Sequence, residues 1–170
     1  SQDEATASLA GLGARWTPVE VDAPRYELPA GDRGGRIYFV DVPGASQSVI
    51  RVGAMALAET DPDFFPASVM NVRLGGVFVS RLNQVLREQK GYTYGASSRF
   101  SGSDRPGPFS VGTRVRSNVT LESVELILDI LAGYADGFTP EDLAATQSYL
   151  IRSNARAFET LRAKIGMLEK

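Results

Sequence analysis

The sequence predicts an α+β domain, a mainly antiparallel sheet with helices packed on one face, in the order β-β-α-α-β-β-α-α. Three observations carry this. Segments rich in β-branched and aromatic residues come in adjacent pairs, "RIYFVDV" with "SQSVIRVGAMAL" and "YTYGASSRF" with "GPFSVGTRVR". Each pair is followed by two stretches whose apolar residues recur at helical spacing. The 170 residues, 43% hydrophobic and 22% charged, suit one domain or slightly more. A domain of this size buries roughly two-thirds of its unfolded surface, enough for a core.

The first 35 residues read as an N-terminal tail or interdomain linker. "SQDEATASLAGLGARW" has some helical character, and Pro18, Pro24, Pro29 and three glycines punctuate the remainder of the segment. The domain is expected over residues 36–170. Its first two strands are "RIYFVDV" and "SQSVIRVGAMAL", separated by "PGA". Asp61 is expected to cap the first helix of the domain, with Pro62 at its first position and Phe65, Val69 and Val72 at near-helical spacing. Gly75-Gly76 stops that helix and suits close packing or a turn. "VFVSRLNQVLREQKG" is the next, with Val79, Leu82, Val85 and Leu86 on one face and Gly91 closing it. A hairpin comes after it, its strands joined by "SGSDRPG". Thr120 or Ser123 opens the next helix, whose stripe includes Val124, Leu128 and Leu131. Thr139 caps the last clear one, with Pro140, Glu141 and Asp142 in its first turn.

Composition narrows the chemistry. The net charge of −2 comes from interspersed acids and bases, with no basic block for nucleic acid. No apolar run approaches a membrane span, and Ser1 begins no signal peptide. With no Cys, disulfides and thiolate catalysis are excluded. With no His, so are His-based acid-base catalysis, a Ser-His-Asp triad and any imidazole zinc site. No glycine pattern has the strand-loop-helix setting of a phosphate-binding loop.

One stretch still looks like a site. "LREQKGYTYG" puts Arg87 at a helix C-terminus and Tyr94 on the following strand, with Gly91 letting the chain turn between them. Tyr92 shares a strand face with Tyr94, and Thr93 points the other way. Arginine is also common in a helix's last turn because it complements the dipole, and a strand tyrosine often only packs. The remaining polar residues read structurally. Glu88 is a solvated helix-end acid, Asp61 and Asp63 are helix-start acids, and Arg81 and Asn83 are polar-face or packing residues. Tyr149 gives no chemical signal.

The blocks "PGASQ", "NVRLGG", "SRLNQVLREQKGYTYG" and "PGPFS" stand in the order of a known family. From about Ile37 onward the chain resembles the C-terminal, zinc-free half-domain of insulinase/pitrilysin-type zinc metallopeptidases, which include the mitochondrial processing peptidases. Members of that family close two related α+β halves over a peptide. One half carries an inverted zinc motif, HxxEH; the other supplies an Arg and a Tyr that hold substrate beside the metal. The resemblance implies that this chain is the second half, with no catalytic metal ligand or base of its own, and that zinc sits in the partner half. Arg87 and Tyr94, with Tyr92 as the second choice of tyrosine, are then the substrate-binding and oxyanion-stabilising pair. The implied partners are an HxxEH-bearing half, in the same polypeptide or a separate subunit, and a peptide substrate held partly by strand addition. Neither nucleic acid nor membrane is implied. Family half-domains continue through a further helix and strand, so the chain is expected to stop short of both. Two other roles are compatible with the resemblance, an assembly subunit that has lost peptidase function and a simple peptide-binding module.

Overall fold

The computed structural model describes residues 2–13, 15–17, 19–21, 35–154 and 159–168. The chain divides into two units, Ser1–Asp41 and Val42–Lys170.

In the first unit, helix α1 (Gln2–Gly13) carries Asp3 and Glu4 in its first turn, at the positive end of the helix dipole. Past its end, Arg15 Nε donates to Gly11 O at 2.9 Å and the Trp16 N–H to Leu12 O at 3.0 Å. Residues 35–41 have no ladder partner among the described residues. Most of the linker expected before them, residues 22–34, lies outside the described residues.

The strand expected at 36–42 is therefore not formed. Ile37 is 93% exposed, and Tyr38, Phe39 and Val40 are similarly bare. Such residues favour a strand only where a neighbouring strand takes their backbone groups and packs their side chains. Among the described residues none does so.

The second unit opens with a turn. Gly44 has φ +80° and the Ala45 N–H donates to Val42 O at 3.1 Å, so Pro43-Gly44 fills the two central positions of a type II turn. Three antiparallel strands follow: β1 (Gln47–Met55), β2 (Ala96–Phe100) and β3 (Pro108–Arg116), in spatial order β1-β3-β2. In register, Ile50 faces Thr113, Val52 faces Val111 and Ala96 faces Thr113. These positions point to the helices, and Ile50, Ala96, Val111 and Val115 are buried there. The alternate positions, Arg51, Arg99, Arg114 and Arg116 among them, are exposed. The fold is thus a small antiparallel sheet with helices, α+β in class, with three described strands where four are expected.

Helix α2 (Phe64–Asn71) runs into a π-helical turn, Val72–Gly76, and α3 (Arg81–Asn83) into a π-helical Gln84–Gln89. Helices α4 (Thr120–Gly133), α5 (Pro140–Asn154) and α6 (Leu161–Leu168) follow β3. Leu74, Leu82, Leu86 and Ile127 close the core over the sheet. Full burial of side chains such as Leu82 and Leu86 stabilises by about 1.5–3 kcal/mol each.

Several details depart from the sequence pattern. The N-cap of α2 is Asp63; the carboxylate of Asp61 instead accepts the Asp63 N–H at 2.9 Å, forming the turn before the helix. With the start displaced, Phe65 turns to solvent at 72% exposure. Val79 precedes α3 and is also exposed. On α4 the buried line runs through Ser123 and Ile127, leaving Leu128 half exposed. The cap of α5 is as expected. Thr139 Oγ1 accepts the Asp142 N–H at 3.2 Å, and Asp142 Oδ2 accepts the Thr139 N–H at 3.3 Å.

Two asparagines close the outer edge of β2. Asn83 Nδ2 donates to Ala96 O at 3.0 Å and its Oδ1 accepts the Ala96 N–H at 2.8 Å. Two residues along, Asn71 Nδ2 donates to Ser98 O at 2.9 Å, and Asn71 Oδ1 accepts from the Ser98 hydroxyl. The helices come this close because Gly75 lacks a side chain: a Cβ there would overlap Ser98 and lie 2.8 Å from Leu82 Cδ1.

Candidate functional site

The end of the Gln84–Gln89 segment sets the position of Arg87. The Lys90 N–H donates to Val85 O at 3.0 Å, a wide i to i−5 bond. The Gly91 N–H bonds Arg87 O at 3.1 Å and the Tyr92 N–H bonds Leu86 O at 2.9 Å. Gly91 has φ +62°, the left-handed conformation that ends a helix and that glycine adopts without strain. Leu86 is fully buried, so the segment is anchored one residue before Arg87.

The Arg87 guanidinium lies 4.3 Å from the centroid of the Phe78 ring and pairs with the Glu88 carboxylate. Its Nη1 faces Glu88 while the ring supports the guanidinium from below. Glu88, read from sequence as a solvated acid, is exposed but engaged with Arg87.

The tyrosines do not lie on the strand, which starts at Ala96. They belong to the connection before it, and a threonine network holds them. Thr93 Oγ1 donates to Gly95 O at 2.9 Å and accepts the Gly95 N–H at 3.0 Å. Thr113 Oγ1, from the inward side of β3, lies 2.9 Å from Thr93 Oγ1. These bonds commit Thr93 inward and fix the connection's path. Tyr92 is half-buried against the core, whereas Tyr94 is 92% exposed.

Arg87, Glu88, Tyr92, Tyr94, Arg114 and Arg116 line one cavity of about 460 Å³. The Arg and Tyr singled out in the sequence thus share a cavity although they come from different local structures. Arg114 and Arg116, together with Gln47 opposite Arg116 on β1, were not singled out. Their signal was present in "GTRVR", two arginines at strand period, once the outward face of β3 is known.

Arg81 lines a different cavity, of about 60 Å³, with Arg73, Gln84, Tyr134 and Asp142. Three of its polar groups are engaged. Arg73 Nε donates to Asp142 Oδ1 at 3.1 Å, and the Tyr134 hydroxyl donates to Met70 O at 2.7 Å. Burial, then the negative charge of Asp142, pushes the Tyr134 hydroxyl up to about 12. Burial opposes the charge of Asp142, but bonds from the Thr139 backbone and from Arg73 outweigh it and hold the carboxyl below its ordinary range. Asn83 belongs to the β2 edge. Tyr149 is exposed on α5. Among the described residues, no group of three or more His, Cys, Asp or Glu is arranged to hold a metal ion.

Comparison with known proteins shows the family of the chain and the likeness of its fold. The family profile described as the peptidase M16 inactive domain matches residues 1–150. An uncharacterized zinc protease of Streptomyces coelicolor is 28% identical over 149 residues, covering 87% of this chain and 32% of that protein. The chain therefore spans about a third of that relative's length. A solved structure of a peptidase M16 inactive domain from Pseudomonas fluorescens is similar at 30% identity and TM-score 0.62, over 65% of this chain and 27% of that one. A protease from Helicobacter pylori matches at TM-score 0.68 and 16% identity, over 75% of this chain and 31% of its own. The periplasmic protease PqqL of Escherichia coli matches at TM-score 0.57 and 17% identity, over 71% and 14%. These last two show likeness of fold alone.

Proposed function

The chain belongs to the peptidase M16 inactive-domain family, and from that premise we propose that it is the substrate-holding half of a zinc endopeptidase, completed by a half that carries HxxEH. The observation that carries the proposal is the cavity in which a ring-supported Arg87 and an exposed Tyr94 hydroxyl come together. The greater length of the Streptomyces relative supports a partner half in the same polypeptide.

The residues present do not fit a zinc site. The sequence has no His or Cys, and the described acids form no ligand cluster. Metal chemistry, the activation of water and polarisation of the scissile carbonyl, belongs to the other half. This chain's part is to bind and orient. A guanidinium and a phenol both donate hydrogen bonds, and neither has to change protonation near neutral pH. Held toward the reacting carbonyl or its neighbours, they stabilise negative charge as it develops on oxygen. The contact of Arg87 with Phe78 and Glu88 limits the freedom it has to lose on binding. Asn71 and Asn83 already meet the β2 edge, so strand addition is left to the outer edge of β1, which has no strand partner among the described residues.

The test is peptide cleavage by the complete enzyme carrying Arg87→Ala or Tyr94→Phe. Loss of a preorganised donor is expected to lower kcat/KM by about 10²-fold, with the zinc content of the other half unchanged. Wild-type cleavage by both variants would reject the assignment.

A further inference from the structure

The cavity is more basic than a carbonyl grip requires. Arg87 is matched by Glu88, but Arg114 and Arg116 line the same space with no acidic partner among the described residues. They are part of a larger pattern. The outward positions of the three strands carry Arg51, Arg99, Arg114 and Arg116 and not one Asp or Glu. In a chain with 18 basic and 20 acidic residues this is strong segregation of charge. Glycine at 112 contributes to it. A Cβ there would lie 2.6 Å from Arg51 Nη1, so the Arg51 side chain crosses β3 at the place a side chain would fill. Three cationic groups therefore follow the outward side of β3, at Gly112, Arg114 and Arg116. Successive outward positions on a strand are about 7 Å apart, which is also the spacing of alternate side chains in an extended peptide.

We propose that Arg114 and Arg116, continued by Arg51, bind acidic side chains at alternate positions of the extended peptide that Arg87 and Tyr94 grip. This deepens the proposed function and rests on it. Guanidinium groups match carboxylates in geometry as well as charge, by paired parallel hydrogen bonds. A cavity wall of one charge sign also raises the local concentration of a complementary substrate.

The test uses the complete enzyme and three peptides of identical scissile sequence, with Glu, Gln or Lys at the same two alternate flanking positions. Wild-type enzyme is expected to cleave the Glu peptide with kcat/KM on the order of tenfold above the Gln peptide, a ratio that shrinks as salt is raised. In Arg114→Gln/Arg116→Gln that ratio falls toward one. In Arg114→Glu/Arg116→Glu the order inverts, Lys above Glu, which a misfolded protein would not produce. Equal cleavage of the Glu and Gln peptides by wild type, or an unaltered ratio in the double variants, overturns the proposal. So does tighter binding of single-stranded DNA or anionic vesicles than of the Glu peptide. The underlying grip is judged separately, on whether Tyr94→Phe slows cleavage of the uncharged Gln peptide.

Discussion

At Asn83 one side-chain amide meets both outward backbone groups of Ala96, as a neighbouring strand would, whereas Asn71 meets the Ser98 carbonyl and its side-chain hydroxyl. Nothing in the pattern "SRLNQ" separates this role from an ordinary polar face, because it depends on how close the helix lies to the strand. Asn83→Ala leaves a buried N–H and C=O without partners, and urea unfolding should show a loss of about 1–3 kcal/mol. Gly75 makes the approach possible, so Gly75→Ala should cost about 1–3 kcal/mol through overpacking against Ser98 and Leu82. Both losses are measurable without any activity. Two titrating groups make stability depend on pH. Tyr134 is raised from 10.0 to about 12, so the folded state keeps a proton that the unfolded chain releases. Its contribution is complete below pH 10.0 and is lost as pH climbs toward about 12. Asp142 is lowered from 3.8, so its contribution is present above that value and lost as pH falls through its folded value. Thermal unfolding across pH should show both edges, with Tyr134→Phe removing the alkaline one.

Among the elements, those with local signals were legible. Thr139-Pro140 with Asp142 fixed the start of α5, and Gly91 the end of the segment bearing Arg87. The β-rich pairs gave strands where a neighbour was available, at 47–55, 96–100 and 108–116. Tyr92 to Gly95 reads as strand because aromatic and β-branched residues dominate it, yet Thr93 bonds its own chain at Gly95 and leaves the ladder. The failure at 36–42 has a related cause: β propensity does not supply a partner. The displaced start of α2 follows from the short-range bond of Asp61 to the Asp63 N–H, which competes with capping. Sequence spacing also hid the π-helical turns, since widening one turn shifts every later side chain around the axis by about 100°.

For the molecule as a whole, fold class and family were readable because they rest on many blocks in order, while the site was readable only in part. Arg87 and Tyr94 stand in one contiguous motif. Arg114 and Arg116 reach the same cavity only through the antiparallel register of β3, which no local pattern states. The proposed division of labour is consistent with composition: a chain without His or Cys has donors and charge to offer peptide hydrolysis, and the proposal assigns the metal to another half. The most direct measurement of that claim compares Tyr94→Phe with Tyr92→Phe in the complete enzyme, at matched zinc content and thermal stability. The exposed Tyr94 hydroxyl should account for a fall in kcat/KM of about 10²-fold, with a much smaller change for Tyr92, which packs against the core. Full activity in Tyr94→Phe, or an equal or larger loss in Tyr92→Phe, would contradict the account.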